Sequence, residues 1–306
     1  MDDADSSPER AGRRSATLAA VAPRIEGNEQ DRRMIIKPRP APPIFIPDSI
    51  DRRHDADRSR VRRIDRNMRN GERPPLAKIL LLEGGGRWRP VITRGGMHLR
   101  FRMPSRKTGL TQVGEGEGEK RLAFLNEVDA RVPDYQCHPW QIISQVNGRR
   151  FKYRPDAIRV MHDGTVEVIE VKRTFRDLSD PEYRQMLAKV KEICRQCGVR
   201  FRVLYLHDIV PNDHHRDNVD ILFGRRYMTF TEQQGRRLRA LRLAGDPISW
   251  SDARKEVGIT DVLKGDSVLE GAAAIGMFGF ELAEPRTDRT ILFPYPAATG
   301  PSPIRI

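Results

Sequence analysis

Apolar residues change their rhythm several times along the chain, and each rhythm predicts an element. Leu122, Phe124, Leu125 and Val128 recur at helical spacing and predict a helix within 115–131. Phe151 to Met161 reads as one strand. Asp163-Gly164 then supplies a turn in which glycine tolerates positive φ, and Thr165 to Lys172 reads as the returning strand. Tyr183, Met186, Leu187, Val190, Cys194 and Cys197 recur at steps of three and four, predicting a helix over 181–197 opened by Pro181 and ended by Gly198. Val199 to Leu206 reads as a further strand. Helix, hairpin, helix, strand is the order of an α/β layer built on a mixed sheet.

The flanks read differently. Residues 1–75 are rich in Arg, Asp and Pro with few periodic apolar positions, so burial cannot offset the entropy of ordering them, and a disordered basic, Pro-rich extension is expected. Lys37 to Asp48 reads as an extended linker or a docking segment; Arg52 to Arg69 reads as a solvated short helix or a DNA-contacting arm. The α/β core is expected over 76–211. A second unit over 212–293 follows, with a capping box at Thr229 and Glu232, an Arg-rich helix ending near Gly245, and a short helix capped by Ser249 and Asp252. A third helix over 267–277 and a hairpin over 278–293 complete a winged-helix-like unit. That third helix is apolar and small, which suits core packing or protein docking better than base reading. Residues 294–306 read as a flexible tail.

Composition narrows the setting. The chain has 306 residues, 38% hydrophobic and 32% charged, enough for one sizeable domain or two modest ones. Its 55 Lys and Arg against 42 Asp and Glu give a formal charge of +13, which draws polyanions and favours nucleic acid, with double-stranded DNA the expected partner, over a solvated basic surface or an acidic protein partner. Three irregularly spaced cysteines, Cys137, Cys194 and Cys197, argue against a disulfide framework and for a reducing compartment. No apolar run reaches the roughly 20 residues a bilayer requires, so no membrane partner is expected. A bacterial cytoplasmic protein, associated with the nucleoid when on DNA, fits these features.

Candidate chemistry centres on Arg154-Pro155-Asp156 and, 14 residues after the Asp, Glu170-Val171-Lys172. Residues two apart share a strand face, so Glu170 and Lys172 project together, and Asp156 approaches Glu170 across the expected strand pair. Two neighbouring carboxylates repel unless a cation lies between them. Oxygen ligands suit Mg²⁺, with Mn²⁺ able to substitute, and such an ion acidifies water at a phosphate. Ionisable groups in the apolar run Val168-Ile169-Glu170-Val171-Lys172 are costly without a purpose. Arg149, Arg150, Lys152 and Arg154 cluster beside this site, suited to DNA phosphates or to solvating an edge strand. Gly114 to Gly118 lacks the Lys-Ser/Thr ending of a phosphate-binding loop and reads as a flexible entry to the Glu119 helix.

A wider pattern connects these pieces. Met103 to Lys107, Glu115 and Glu119 at a helix start, His138-Pro139, Tyr153-Arg154-Pro155-Asp156 and Glu170-Val171-Lys172 together resemble the TnsA-like transposon endonucleases, members of the PD-(D/E)xK nuclease superfamily. The resemblance covers roughly 100–210, with Glu119 at the family's helical carboxylate, 19 residues before His138. His138 stands where the family commonly has Gln, and the long N-terminal extension has no counterpart. The resemblance implies a restriction-endonuclease-like mixed sheet flanked by helices. It also implies catalytic Glu119, Asp156, Glu170 and Lys172, with Glu119, Asp156 and Glu170 round Mg²⁺. The expected activity is DNA cleavage at transposon ends beside a DDE-type transposase and an ATPase regulator. Two alternatives stay open: a non-catalytic DNA-binding or assembly subunit with a nuclease fold, and a stand-alone defence or repair nuclease.

Overall fold

The central strand of the protein is the one the apolar run predicted. A computed structural model describes residues 77–80, 99–297 and 302–304, and the backbone of 44–45, 61–65 and 81–82. The described residues belong to one compact unit, Ile35–Ile306, with seven α-helices among them. In chain order the first elements are β1 (Ile44–Phe45), β2 (Val61–Asp65), β3 (Lys78–Leu82), β4 (Arg100–Pro104), β5 (Thr111–Glu115) and helix α1 (Gly116–Val128). Next come β6 (Asp134–Cys137), β7 (Trp140–Val146), β8 (Arg149–Tyr153), β9 (Ala157–Val160), β10 (Val166–Lys172), α2 (Pro181–Gln196) and β11 (Arg200–Tyr205).

A four-stranded mixed sheet runs β11-β10-β9-β6. β10 pairs parallel with β11 and antiparallel with β9, so α2 provides the crossover that a parallel pair requires. Alternation along β10 sends Val166 and Val168 into a core with Leu187, Val190, Ile193 and Cys194 of α2. Ile169 goes the other way, into a core with Leu122, Leu125 and Val128 of α1. Each such side chain, fully buried, contributes about 1.5–3 kcal/mol. Glu167, 2% exposed within this sheet, is compensated by Arg159 at 2.8 Å on β9 and by Arg202 at 3.4 Å on β11.

A second, antiparallel sheet runs β1-β2-β3-β7-β8. The single strand expected over 151–161 is therefore two strands in two sheets. Pro155, which has no N–H for a ladder, sits at the break between β8 and β9. The Arg52–Arg69 segment contains a strand rather than a helix, since β2 pairs with β3 from Val61↔Leu82 to Asp65↔Lys78. The Lys37–Asp48 segment shows only the β1 backbone, and the remaining expectations for 1–76 lie outside the described residues.

Beyond β11 come α3 (Leu206–Ile209), α4 (Asp213–Arg225), α5 (Glu232–Ala244), β12 (Ile248–Ser249), α6 (Trp250–Val257), α7 (Val262–Ala274), β13 (Phe278–Gly279) and β14 (Ile291–Pro294). Thr231, not Thr229, caps α5, with Gln234 closing the box, and Gly245 at φ +78° ends it. Ser249 caps α6 as expected, accepting from the Asp252 N–H. α7 begins five residues before its expected start because Asp261 caps it. Its residues from Val268 to Ala274 are buried, so the helix packs inward. β12 and β13 both pair with β14. Val219 and Leu222 of α4, with Ala273 and Ala274 of α7, join the α1 core, which thus draws on both sides of residue 212. The tail is not wholly loose: Ile304 is 4% exposed and packs in the α2 core.

Candidate metal centre

α1 carries the first acid, and glycines set where it points. Gly116 opens the helix at φ +85°, a conformation that strongly favours glycine. A Cβ on Gly118 would lie 2.7 Å from Val171 Cγ1, so only glycine lets the first turn of α1 press against β10. A Cβ on Gly114 would lie 2.7 Å from Glu119 Oε2. The Gly114–Gly118 stretch is thus a close-packed joint between β5 and α1 rather than a flexible entry. Glu119 Oε2 accepts the Glu115 N–H at 2.9 Å, satisfying an amide at the helix start.

The other end of α1 is held by the loop after β4. Buried Glu127 accepts Ser105 Oγ at 2.5 Å, Tyr135 OH at 2.8 Å and the Arg106 N–H at 2.8 Å. Lys107 Nζ donates to the Asn126 and Asp129 carbonyls, which terminate the helix. Ser105, Arg106 and Lys107, which contribute to the family resemblance, therefore act here by fastening α1.

Three side chains converge beside that first turn. Oxygens of Glu119 and Asp156 and a nitrogen of His138 all lie within 4.8 Å of one another. His138 is 2% exposed and holds a left-handed backbone at φ +47°, its N–H donating to the Asp156 carbonyl at 2.9 Å. His138 Nε2 stands 3.1 Å from Glu119 Oε2. The pair is not aligned as a hydrogen bond, and this buried nitrogen has no hydrogen-bond partner. Asp156 Oδ2 accepts the Val171 N–H at 2.7 Å. Burial pushes the Asp156 carboxyl well above the ordinary carboxylate range. Glu170 and Glu119 add repulsion, while the Val171 N–H and Lys172 act in the opposite direction.

Glu170, expected as a third metal ligand, is near enough to repel the Asp156 carboxyl but is not among the three groups that meet within 4.8 Å. It lies on the β10 face toward α2, 4% exposed, and accepts Tyr153 OH at 2.6 Å, Tyr183 OH at 2.5 Å and Lys172 Nζ at 2.5 Å. Burial works to lower the Lys172 pKa, but Glu170 and Tyr183 outweigh it and hold the ammonium above its ordinary value. The Lys172 ammonium also lies 4.9 Å from the Tyr183 ring centre. Sequence periodicity assigned Tyr183 only to the apolar stripe of its helix; the stripe does not reveal where a hydroxyl points. Of the four basic residues, Arg154 donates to Gln141 Oε1 at 3.0 and 2.7 Å, and Arg149 lies 3.5 Å from Glu182. Arg150 and Lys152 are exposed and alternate with Phe151 and Tyr153 along β8.

No protein-family model matches the chain, and no curated protein matches it. A solved structure to which it is similar is protein VC1899 from Vibrio cholerae, 16% identical over 39% of this chain, with a TM-score of 0.21. The match spans 27% of that protein's length, and a likeness of that size fixes neither fold nor chemistry.

Proposed function

We propose that this chain is a divalent-metal-dependent endonuclease that hydrolyses phosphodiester bonds in double-stranded DNA. The reading rests on one observation, the meeting of Glu119, His138 and Asp156 within 4.8 Å. A buried imidazole nitrogen with no partner, beside a carboxyl held against its own charge, is what a bound cation relieves. Mg²⁺ or Mn²⁺ bound there supplies charge neutralisation at a phosphate and an acidified water. Glu119 and Asp156 would hold the ion, with the His138 imidazole beside them. Lys172, kept charged by Glu170, offers a cation to the phosphate oxygens. Arg150 and Lys152 on β8 take the DNA backbone.

The finer reading is a restriction-endonuclease-like core formed by the mixed sheet with α1 and α2. The order α5-β12-α6-α7-β13-β14, with β14 between β12 and β13, supports a winged-helix-like C-terminal part. Its third helix turns inward, which favours docking over base reading. Through the resemblance of Tyr153–Asp156 and Glu170–Lys172 to TnsA-like enzymes, the substrate is the end of a transposon, cut beside a DDE-type transposase with an ATPase regulator.

The clamp on Glu170 favours a second reading, an assembly subunit in which this carboxylate is purely structural. Nicking of supercoiled plasmid in Mg²⁺ and in Mn²⁺, with Asp156→Ala and Lys172→Ala alongside, separates the two. Metal-dependent nicking lost in both variants is the expected result. DNA binding with neither nicking nor metal affinity would transfer the chain to the second reading.

A further inference from the structure

The metal reading leaves the class of ion open, and His138 bears on it. We propose that His138 ligates the ion directly through Nε2 and that its imidazole makes the centre prefer a first-row transition ion such as Mn²⁺ to Mg²⁺. This rests on the metal reading above and adds a ligand and a selectivity to it.

Three observations carry the inference. First, His138 is 2% exposed and its Nε2 has no hydrogen bond, an arrangement that costs about 1–3 kcal/mol unless something completes it. Second, Nε2 sits 3.1 Å from Glu119 Oε2 without the alignment of a hydrogen bond, as two donors to one ion do when they face a common point rather than each other. Third, the left-handed backbone at φ +47° is unfavourable for a residue with a side chain, and the His138 N–H is tied to the Asp156 carbonyl at 2.9 Å. Conformational strain thus falls at the residue that brings a nitrogen beside two carboxylates.

Ligand chemistry then indicates the ion. Carboxylates suit Mg²⁺ and Mn²⁺ alike, whereas imidazole adds affinity for first-row transition ions and little for Mg²⁺, which keeps to oxygen and water. Two carboxylates and one imidazole therefore tilt the centre away from Mg²⁺. An amide oxygen at position 138 would remove that tilt.

The test uses the full chain with Mn²⁺ as the probe. Electron paramagnetic resonance counts bound Mn²⁺, electron spin-echo modulation reports a directly bonded ¹⁴N, and Mg²⁺ competition measures preference. Wild type, H138Q, H138N and D156N are compared, with circular dichroism confirming that each is folded. Wild type is expected to bind Mn²⁺ with nitrogen modulation. H138Q and H138N are expected to lose the modulation and at least about tenfold of the Mn²⁺ over Mg²⁺ preference. Mn²⁺ bound without nitrogen modulation in wild type, or equal preference in wild type and H138Q, overturns the role of His138 and leaves the metal reading intact. No Mn²⁺ bound by wild type, or binding untouched by D156N, overturns both.

Discussion

Lys107 tests how the helix carrying Glu119 is held in place. Its ammonium donates to the Asn126 carbonyl at 2.6 Å and the Asp129 carbonyl at 2.9 Å, where α1 ends. Burial lowers its pKa from 10.5 to about 8, although Asp129, Glu127 and Asp134 all pull it upward. Between those values the unfolded chain binds more protons than the folded one, so stability rises with pH across the window. The cost of the buried charge is present in full below about pH 8 and is gone above pH 10.5. A drop of that size corresponds to about 3 kcal/mol, an upper value because the side chain keeps some contact with solvent. Lys107→Met removes the titration at similar volume. The two carbonyls left without a donor shift the variant's stability by a constant and leave the pH dependence alone. Urea unfolding of both proteins from pH 7.5 to 10.5 should therefore show wild type gaining on the variant by about 2–3 kcal/mol. A difference that stays flat across the window would falsify the buried-staple account of Lys107.

Two further perturbations probe the scaffold. Gly118→Ala places a Cβ 2.7 Å from Val171 Cγ1 and should cost about 1–3 kcal/mol by prising α1 from β10; an unchanged melting temperature would contradict that close approach. Glu270 is 4% exposed and receives Arg225 at 2.7 Å and Arg286 at 2.6 Å. Glu270→Gln should cost about 3 kcal/mol in urea unfolding, the low end for a buried pair because Arg225 is half-exposed, and a loss under about 0.5 kcal/mol would refute its role in fastening α7.

How much could be read beforehand depends on how local each signal is. α2 runs Pro181–Gln196 close to its expected bounds because Pro181 and Gly198 fix its ends by backbone geometry alone. β10 was legible because an apolar run bounded by a turn has few other places to go. Phe151 to Met161 misleads because period-two alternation continues across Pro155, while each half pairs with a different neighbour, β8 with β7 before it and β9 with β10 after it. The start of α7 lies outside the expected bounds because its first turn, Val262 to Gly265, carries exposed apolar side chains and a glycine rather than the buried stripe that follows, and Asp261 caps it. Within the site, Asp156 stands out by residue type and spacing and Glu119 through the family resemblance, and the structure brings them together. His138 stood out in sequence only as a departure from a pattern. Its burial, positive φ and unpartnered nitrogen all arise from long-range packing that spacing does not encode. Glu170 reads as a ligand from its strand neighbours; the tyrosine hydroxyls that donate to its oxygens come from β8 and α2, and spacing does not reveal them.

The oxygen that Glu119 turns toward His138 is the same oxygen that takes the Glu115 amide hydrogen. One atom thus serves both the joint between β5 and α1 and the meeting point of the three side chains. If the centre takes the cation proposed above, electron density drawn toward it at that atom is density withdrawn from the amide, so that filling the centre would loosen the joint and tightening the joint would weaken the centre. The exchange rate of a single backbone hydrogen, at Glu115, would then gauge whether the site is full, readable without substrate, product or turnover.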